Sequence, residues 1–202
     1  GEKKLTTGYL QKLKEAGNFL MDLIGNILEV ARIESGKETL TETAWNLCNL
    51  EDTLDLLLDR DISKKQLTLK KNIEIQHPKV YCDVLKIREI TMNLLSNAIK
   101  YTPEGGTIHF TIRELPYERE GYALFQTVVE DTGIGISKEY IPHLFEAFTR
   151  EKSSSESGIM GTGLGLRIVK KFVDLMEGSI VVESEIGKGT RITVTIPHGI
   201  VQ

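Results

Sequence analysis

Residues 5 to 34 hold no proline, and Leu13, Ala16, Leu20, Leu23, Ile27 and Val30 recur within them in alternating steps of three and four. That spacing is a heptad seam along one face of a single long helix. Leu10, Ile24, Leu28 and Ala31 add a flanking stripe, wider than a two-stranded coil uses. A helix of this kind packs in a bundle. Ser35-Gly36 closes it, with the glycine where a left-handed cap falls. No residue of this helix is read as catalytic, so its expected role is structural or dimerising.

After Gly36 the texture changes. "KETLTETAWNL" reads as a first strand, "LEDTLDLLLDRDI" as an amphipathic helix, "QLTLKKNIEI" as an alternating strand and "VYCD" as a short extended piece. A helix is expected from about Asp83 to Tyr101. "GTIHFTIRE" places Ile108, Phe110 and Ile112 on one face of a strand, and "YALFQTVVED" is the next strand. Residues 137 to 147 read as a short helix and the Ser-rich residues 149 to 160 as a mobile loop. A helix from about Thr162 to Met176 and a hairpin of "SIVVESE" and "TRITVTIP" around "IGKG" complete the chain. Helices and strands are mixed, and several strands have one polar face. The expectation is an α+β two-layer sandwich: a mixed sheet covered on one side by helices.

The 202 residues suffice for one domain plus an appendage. The formal charge of −4, without runs of Lys or Arg longer than a pair, argues against a nucleic-acid surface. Cys48 and Cys82 stand far apart, outside any metal or redox motif, which fits a reducing, cytoplasmic compartment. No apolar stretch approaches the roughly 18 residues of a membrane span, and the start lacks the apolar core of a signal peptide. A leading Gly in place of Met leads us to expect a fragment of a longer protein.

Three stretches carry candidate chemistry. At about 100° per residue, Glu89, Asn93, Asn97 and Lys100 share one sector of the expected 83–101 helix, with Tyr101 at its edge and Ile87, Leu94, Leu95 and Ala98 opposite. Asparagine is a mediocre helix former, but its amide oxygen is a neutral ligand suited to a magnesium ion shared with phosphate oxygens and water. A lysine one turn on can meet a phosphate. The competing reading is a solvated helix face. "GTGLGL", 161 to 166, opens the last long helix, where backbone N–H groups and the helix dipole favour an anion. It is neither a Rossmann fingerprint nor a Walker loop, and a tight glycine cap is the bland alternative. "GKGT", 187 to 190, sits between strands and reads as a hairpin turn.

Third, "VVEDTGIGIS", 128 to 137, sets Asp131 before a Gly-Ile-Gly turn. An aspartic protease also uses Asp-Thr-Gly, but needs two such aspartates, so a homodimer would be required. No acid or histidine cluster surrounds Asp131 to hold a metal. A third role fits better: the carboxylate accepts a hydrogen bond from an exocyclic amine while the turn admits a flat base. Adenine offers that amine, and guanine offers a repelling oxygen.

From about residue 9 to 197 the chain resembles the catalytic core of a sensor histidine kinase of two-component signalling, with the Bergerat ATP-binding fold. "REITMNLLSNAIKYTPEGG" resembles the family's asparagine box, "EDTGIGI" its first glycine box, "HLFEAFTR" its phenylalanine box and "GTGLGL" its second glycine box; "SEIGKGTRITVTIP" resembles the closing hairpin. The resemblance implies ATP and magnesium as cofactors. It implies Asn97 as the magnesium ligand, Asn93 beside the phosphates, Lys100 on a phosphate and Tyr101 near adenine. Asp131 would read adenine, with Gly133, Gly135 and Ile136 in the adjoining turn. Phe145 and Phe148 would hold a lid at about 149–160, Arg150 would reach toward the terminal phosphate, and Gly161, Thr162, Gly163, Leu164, Gly165 and Leu166 would form the hinge and phosphate cradle. Asn93, Lys100 and Arg150 are the residues it assigns to catalysis. ATPase relatives carry a glutamate where Asn93 stands, and an amide cannot serve as that base, which favours transfer over hydrolysis.

Residues 1–36 resemble the second helix of the dimerisation and phosphotransfer bundle, and 37–202 the ATP-binding domain. The helix bearing the phosphoacceptor histidine is absent from this sequence. His77 precedes a proline in a loop, His109 lies on the outward face of a strand, His143 in the short helix and His198 in the tail; none has an acceptor's sequence setting. The implied partners are a phosphoacceptor helix of the parent kinase, a response regulator receiver domain and a second copy in the parent dimer. A degenerate nucleotide-binding scaffold without kinase activity is the alternative.

Overall fold

The computed structural model describes residues 2–36, 38–149 and 162–201. The expected lid therefore lies almost wholly outside the described residues. Helix α1 runs Glu2–Glu34, and Gly36 at φ +66° closes it with its N–H on Ile33 O, as the Ser-Gly ending predicts. The seam is largely open: Leu13, Leu20 and Ile27 are exposed, while Val30 and Ile33 pack against the core.

Strand β1 is confined to Thr43–Asn46, shorter than the stretch read from sequence. Helix α2, Asn49–Lys64, buries Leu50, Leu54 and Leu58, one residue per turn. Strands β2 (Thr68–Glu74) and β3 (Lys79–Cys82) lead to helix α3, Val84–Tyr101. Asp83 starts α3 because its carboxylate accepts the Lys86 N–H. Strands β4 (Thr107–Leu115) and β5 (Tyr122–Asp131) follow.

The helix expected over 137–147 is not formed. Only Ile141–His143 makes a 3₁₀ turn. Pro142 has no N–H to give, and the amides after it bond three residues back, His143 to Tyr140, Leu144 to Ile141 and Glu146 to His143. Helix α4 begins at Gly165, not near Thr162, and ends at Leu175. Gly163, at φ +69°, is left-handed and cannot belong to a right-handed helix. The hairpin of β6 (Ser179–Glu185) and β7 (Gly189–Ile200) closes the fold.

Six strands lie in the order β1-β3-β7-β5-β4-β2, with β6 also paired to β7. The β2–β4 pair is parallel and the others are antiparallel, so the sheet is mixed. Ile108 pairs with Asp131 and Asp131 with Thr190. By the period of two, Ile108, Phe110 and Ile112, then Val129 and Phe125, then Ile192, Val194 and Ile196 share one face. Against it pack Leu54 of α2, Ile90 and Leu94 of α3, and Ile168 and Phe172 of α4. This is the expected α+β two-layer sandwich with a long helix before it. Among the described residues no helix is long and apolar enough to cross a membrane.

The helix-facing side of the sheet also buries two titratable groups. His198 is not in a tail; it is 4% exposed within β7, its ring 5.7 Å from that of Phe125. Burial pushes its pKa down to about 4. Asp131, 8% exposed, is pushed up to about 6 by burial, partly offset by the Gly133 and Thr190 amides. The two act oppositely on stability. His198 withdraws stability as pH falls from 6.5 to 4, because the unfolded imidazole takes a proton first. Asp131 adds stability as pH falls from 6 to 3.8, because the folded carboxyl takes its proton first. Urea unfolding should therefore show Asp131→Asn losing stability more steeply than wild type between pH 6.5 and 4.5, by an excess of about 2 kcal/mol. Parallel pH dependences would contradict this account.

Candidate functional site

The asparagine face of α3 is set by what lies behind it. Ile87, Ile90, Leu94, Leu95 and Ala98 are buried, which turns Glu89, Asn93, Asn97, Lys100 and Tyr101 toward a cleft of about 860 Å³. The sector read from sequence is thus one wall of a cavity. Asp131 lies on the floor, where β5 ends and its inward parity persists. Its Oδ1 accepts the Gly133 N–H at 2.7 Å. A Cβ on Gly133 would stand 2.5 Å from that oxygen and 2.7 Å from Tyr101 O, so only glycine fits. The turn is pinned on both sides: Ile134 N–H donates to Tyr101 O, and Gly187 N–H to Ile134 O. Gly135 and Ile136 line the cleft beyond it.

The opposite end is closed by the approach to α4. Thr162, Gly163, Gly165 and Leu166 line the cavity. Asn93 Oδ1 is 2.6 Å from where a Cβ on Gly165 would sit, so Asn93 and the N-terminus of α4 meet directly. Asn93 Nδ2 donates to Glu89 O one turn back. Lys100 Nζ lies 5.0 Å from the Tyr101 ring centroid. The Leu164 side chain is 1% exposed and does not line the cavity. Phe148 is exposed at φ +61° and does not line the cleft; its N–H donates to Gly163 O at 3.1 Å. Phe145 is half-buried and does not line it either. Arg150 and Gly161 lie outside the described residues.

Several lining residues escaped the sequence reading. Asn18, Phe19, Met21, Asn26 and Glu29 of α1 border the cleft. Asn26 Nδ2 donates to Thr162 Oγ1 at 3.2 Å across 136 residues of sequence, and no local pattern announces such a contact. Glu34 pairs with Arg167 of α4. Glu89, counted on the face but given no role, has its pKa raised by burial and by the charge of Glu29, with Lys86 opposing. Thr190 lines the floor beside Asp131 and bonds it through its amide. The Gly-Lys-Gly-Thr stretch is a hairpin turn as read, and the strand register adds a second position at the site.

The arrangement offers a single acceptor carboxylate at a flat, glycine-walled end. At the other end it offers amides, a lysine and a helix N-terminus, which suit an anion. Among the described residues no His, Cys, Asp and Glu group could hold a metal unaided, so a cation here would need oxygens from a ligand.

Known proteins share this architecture. Residues 82–200, more than half the chain, match the family of histidine kinase-, DNA gyrase B- and HSP90-like ATPases. The chain is 36% identical over 194 residues to hybrid signal transduction histidine kinase B of Dictyostelium discoideum, covering 95% of this chain and 10% of that protein. It is 36% identical over 193 residues to the circadian input-output histidine kinase CikA of Synechococcus elongatus, covering 94% of this chain and 25% of that one. The chain thus spans a quarter or less of these relatives. The structure of full-length ShkA in complex with AMPPNP superposes with a TM-score of 0.78 at 25% identity, over 96% of this chain and 39% of that one. The nucleotide-free catalytic domain of histidine kinase ThkA does so with a TM-score of 0.63 at 27% identity, over 78% and 95%. With its glycine-walled carboxylate beneath an asparagine-faced helix, this chain belongs to the histidine kinase-, DNA gyrase B- and HSP90-like ATPase family.

Proposed function

We propose that this core transfers the γ-phosphate of ATP to a histidine outside residues 1–202, for relay to the receiver domain of a response regulator. The observation that carries the reading is Asp131, buried at the cleft floor opposite the asparagine face of α3. Asp131 accepts the adenine amine, the Gly133–Gly135 turn admits the ring, and Tyr101 covers it. Lys100 and the start of α4 meet the phosphates, joined by Arg150 and Gly161. The donor set fits magnesium, since Asn97 presents a neutral amide and the phosphates supply the remaining oxygens. Bound there, the ion would neutralise charge on the transferring phosphate. Asn93 has no basic group with which to activate water, which supports transfer over hydrolysis.

The histidines support an outside acceptor. His77 pairs with Glu114, His109 and His143 are exposed away from the cleft, and His198 is buried in β7. In this reading residues 1–36 are one helix of a dimerisation bundle, and their open apolar seam meets a second copy and the missing acceptor helix. Residues 37–202 are the catalytic domain, with a lid at about 149–160. Two free cysteines, Cys82 buried, fit a cytoplasmic location.

Labelling tests the central claim. Residues 1–202 should bind ATP but form no phosphohistidine with γ-labelled ATP. Adding a protein that joins an acceptor helix to a copy of residues 5–34 should yield label on the added chain alone. Acid-labile label on residues 1–202 by themselves would place the acceptor inside the chain. Tight ATP binding with no labelled acceptor would favour a nucleotide-binding scaffold.

Asp131→Asn keeps the shape but exchanges a charged acceptor for a donor, so adenine affinity should fall by about 1.5–3 kcal/mol. Adenosine, whose phosphate-free form removes phosphate titration, should bind wild type more weakly as pH drops from 7 to 5 through the Asp131 pKa of about 6. The variant should lack that step. Equal adenosine affinity in wild type and variant at pH 7 would remove Asp131 from the base site.

Asn97→Ala should weaken magnesium-ATP far more than ATP with EDTA, because alanine offers the ion no oxygen. Calorimetry giving equal losses in both conditions would make Asn97 a structural residue.

A further inference from the structure

The carboxyl end of α3 has no glycine cap, yet each of its last four carbonyls finds a donor. Ala98 O accepts both the N–H and the hydroxyl of Thr102, at 2.9 and 2.6 Å. Ile99 O and Lys100 O accept from the ammonium of Lys65, at 2.7 and 2.9 Å, and the same ammonium gives its third hydrogen to Thr102 O at 2.9 Å. Tyr101 O accepts the Ile134 N–H of the glycine turn at 3.2 Å. All three ammonium donors are thereby used on converging carbonyls. Lys65 comes from the end of α2 and does not line the cleft.

We infer that Lys65 is a positioning residue for the base-binding end of the cleft, acting through the last turn of α3. That turn carries Lys100 and Tyr101. Its Tyr101 carbonyl is the anchor of Ile134 and the wall against which Gly133 packs, 2.7 Å from a would-be Cβ. Gly133 in turn donates to Asp131. Lys65 therefore fixes the distance between the Tyr101 side of the cleft and the carboxylate on its floor. Its positive charge also faces the negative end of the α3 dipole. The backbone of Lys65 does a separate task, accepting the Gly105 N–H at 3.0 Å, and a side-chain substitution leaves that bond in place.

This inference rests on the nucleotide reading above, and titration of the full chain with ADP separates the two. Each variant is measured where circular dichroism shows it folded. Lys65→Met leaves three carbonyls without their donor, and ADP should bind about tenfold more weakly. Lys65→Arg, which keeps charge and donors, should stay within about threefold of wild type. Lys71→Met is the control for stability alone: it removes ion pairs to Glu51 and Asp55 between β2 and α2, away from the cleft. It should leave ADP affinity unchanged. Equal affinity in Lys65→Met and wild type overturns the inference, as does an equal loss in Lys71→Met. Should Lys65→Met fail to fold, Lys65→Gln replaces it, with a loss of about fivefold expected and no loss overturning the proposal. Absence of ADP binding by wild type overturns the nucleotide reading itself.

Discussion

The register of β5 between β4 and β7 is the constraint from which the site follows. Asp131 shares a face with Val129 and Phe125 only because its pairings to Ile108 and Thr190 hold. A slip of one residue would turn Glu130 inward and move the apolar set to solvent. The core therefore enforces the position of the one carboxylate at the cleft floor. Its pKa, pushed up to about 6, shows the cost of holding it there. The amides of Gly133 and Thr190 offset part of that cost without neutralising it.

The second constraint is the rotation of α3. Leu94 and Leu95 are essentially fully buried, and each such leucine contributes about 1.5–3 kcal/mol. An exposed ion pair such as Lys170–Asp174 contributes about 0–1 kcal/mol. Burial outweighs surface charge, so the apolar face sets the helix's rotation and the asparagines take the opposite side by default. Two unrelated packing demands, one on a strand and one on a helix, thus converge on a single cavity.

Both demands are written as short-range periodicity, which is why they were legible beforehand. The alternation of Ile108, Phe110 and Ile112 and the 100° spacing of Asn93 and Asn97 survive intact in the fold. What escaped depends on other physics. The 137–147 segment has helical composition, but Pro142 and three-residue bonding make it a 3₁₀ turn. Thr190 enters the site through strand pairing, and Lys65 reaches the end of α3 through contacts spanning 34 to 37 residues. A side chain recruited from a distant element leaves no periodic trace.

Helix α1 shows the same limit from the other direction. Its seam was evident, but the end that touches the core was not. Val30 and Ile33 supply its apolar contact with the core. Asn26–Thr162 and Glu34–Arg167 are single polar links at partly exposed positions, each contributing about 1 kcal/mol or less. Leu13, Leu20 and Ile27 remain exposed, and an isolated helix gains little from propensity alone. The described contacts with the core and α4 therefore hold only the last turns of α1. The same weak links join it to Thr162 and Arg167, on either side of the α4 N-terminus that faces Asn93. Displacing α1 from the cleft costs little compared with disturbing α3 or β5.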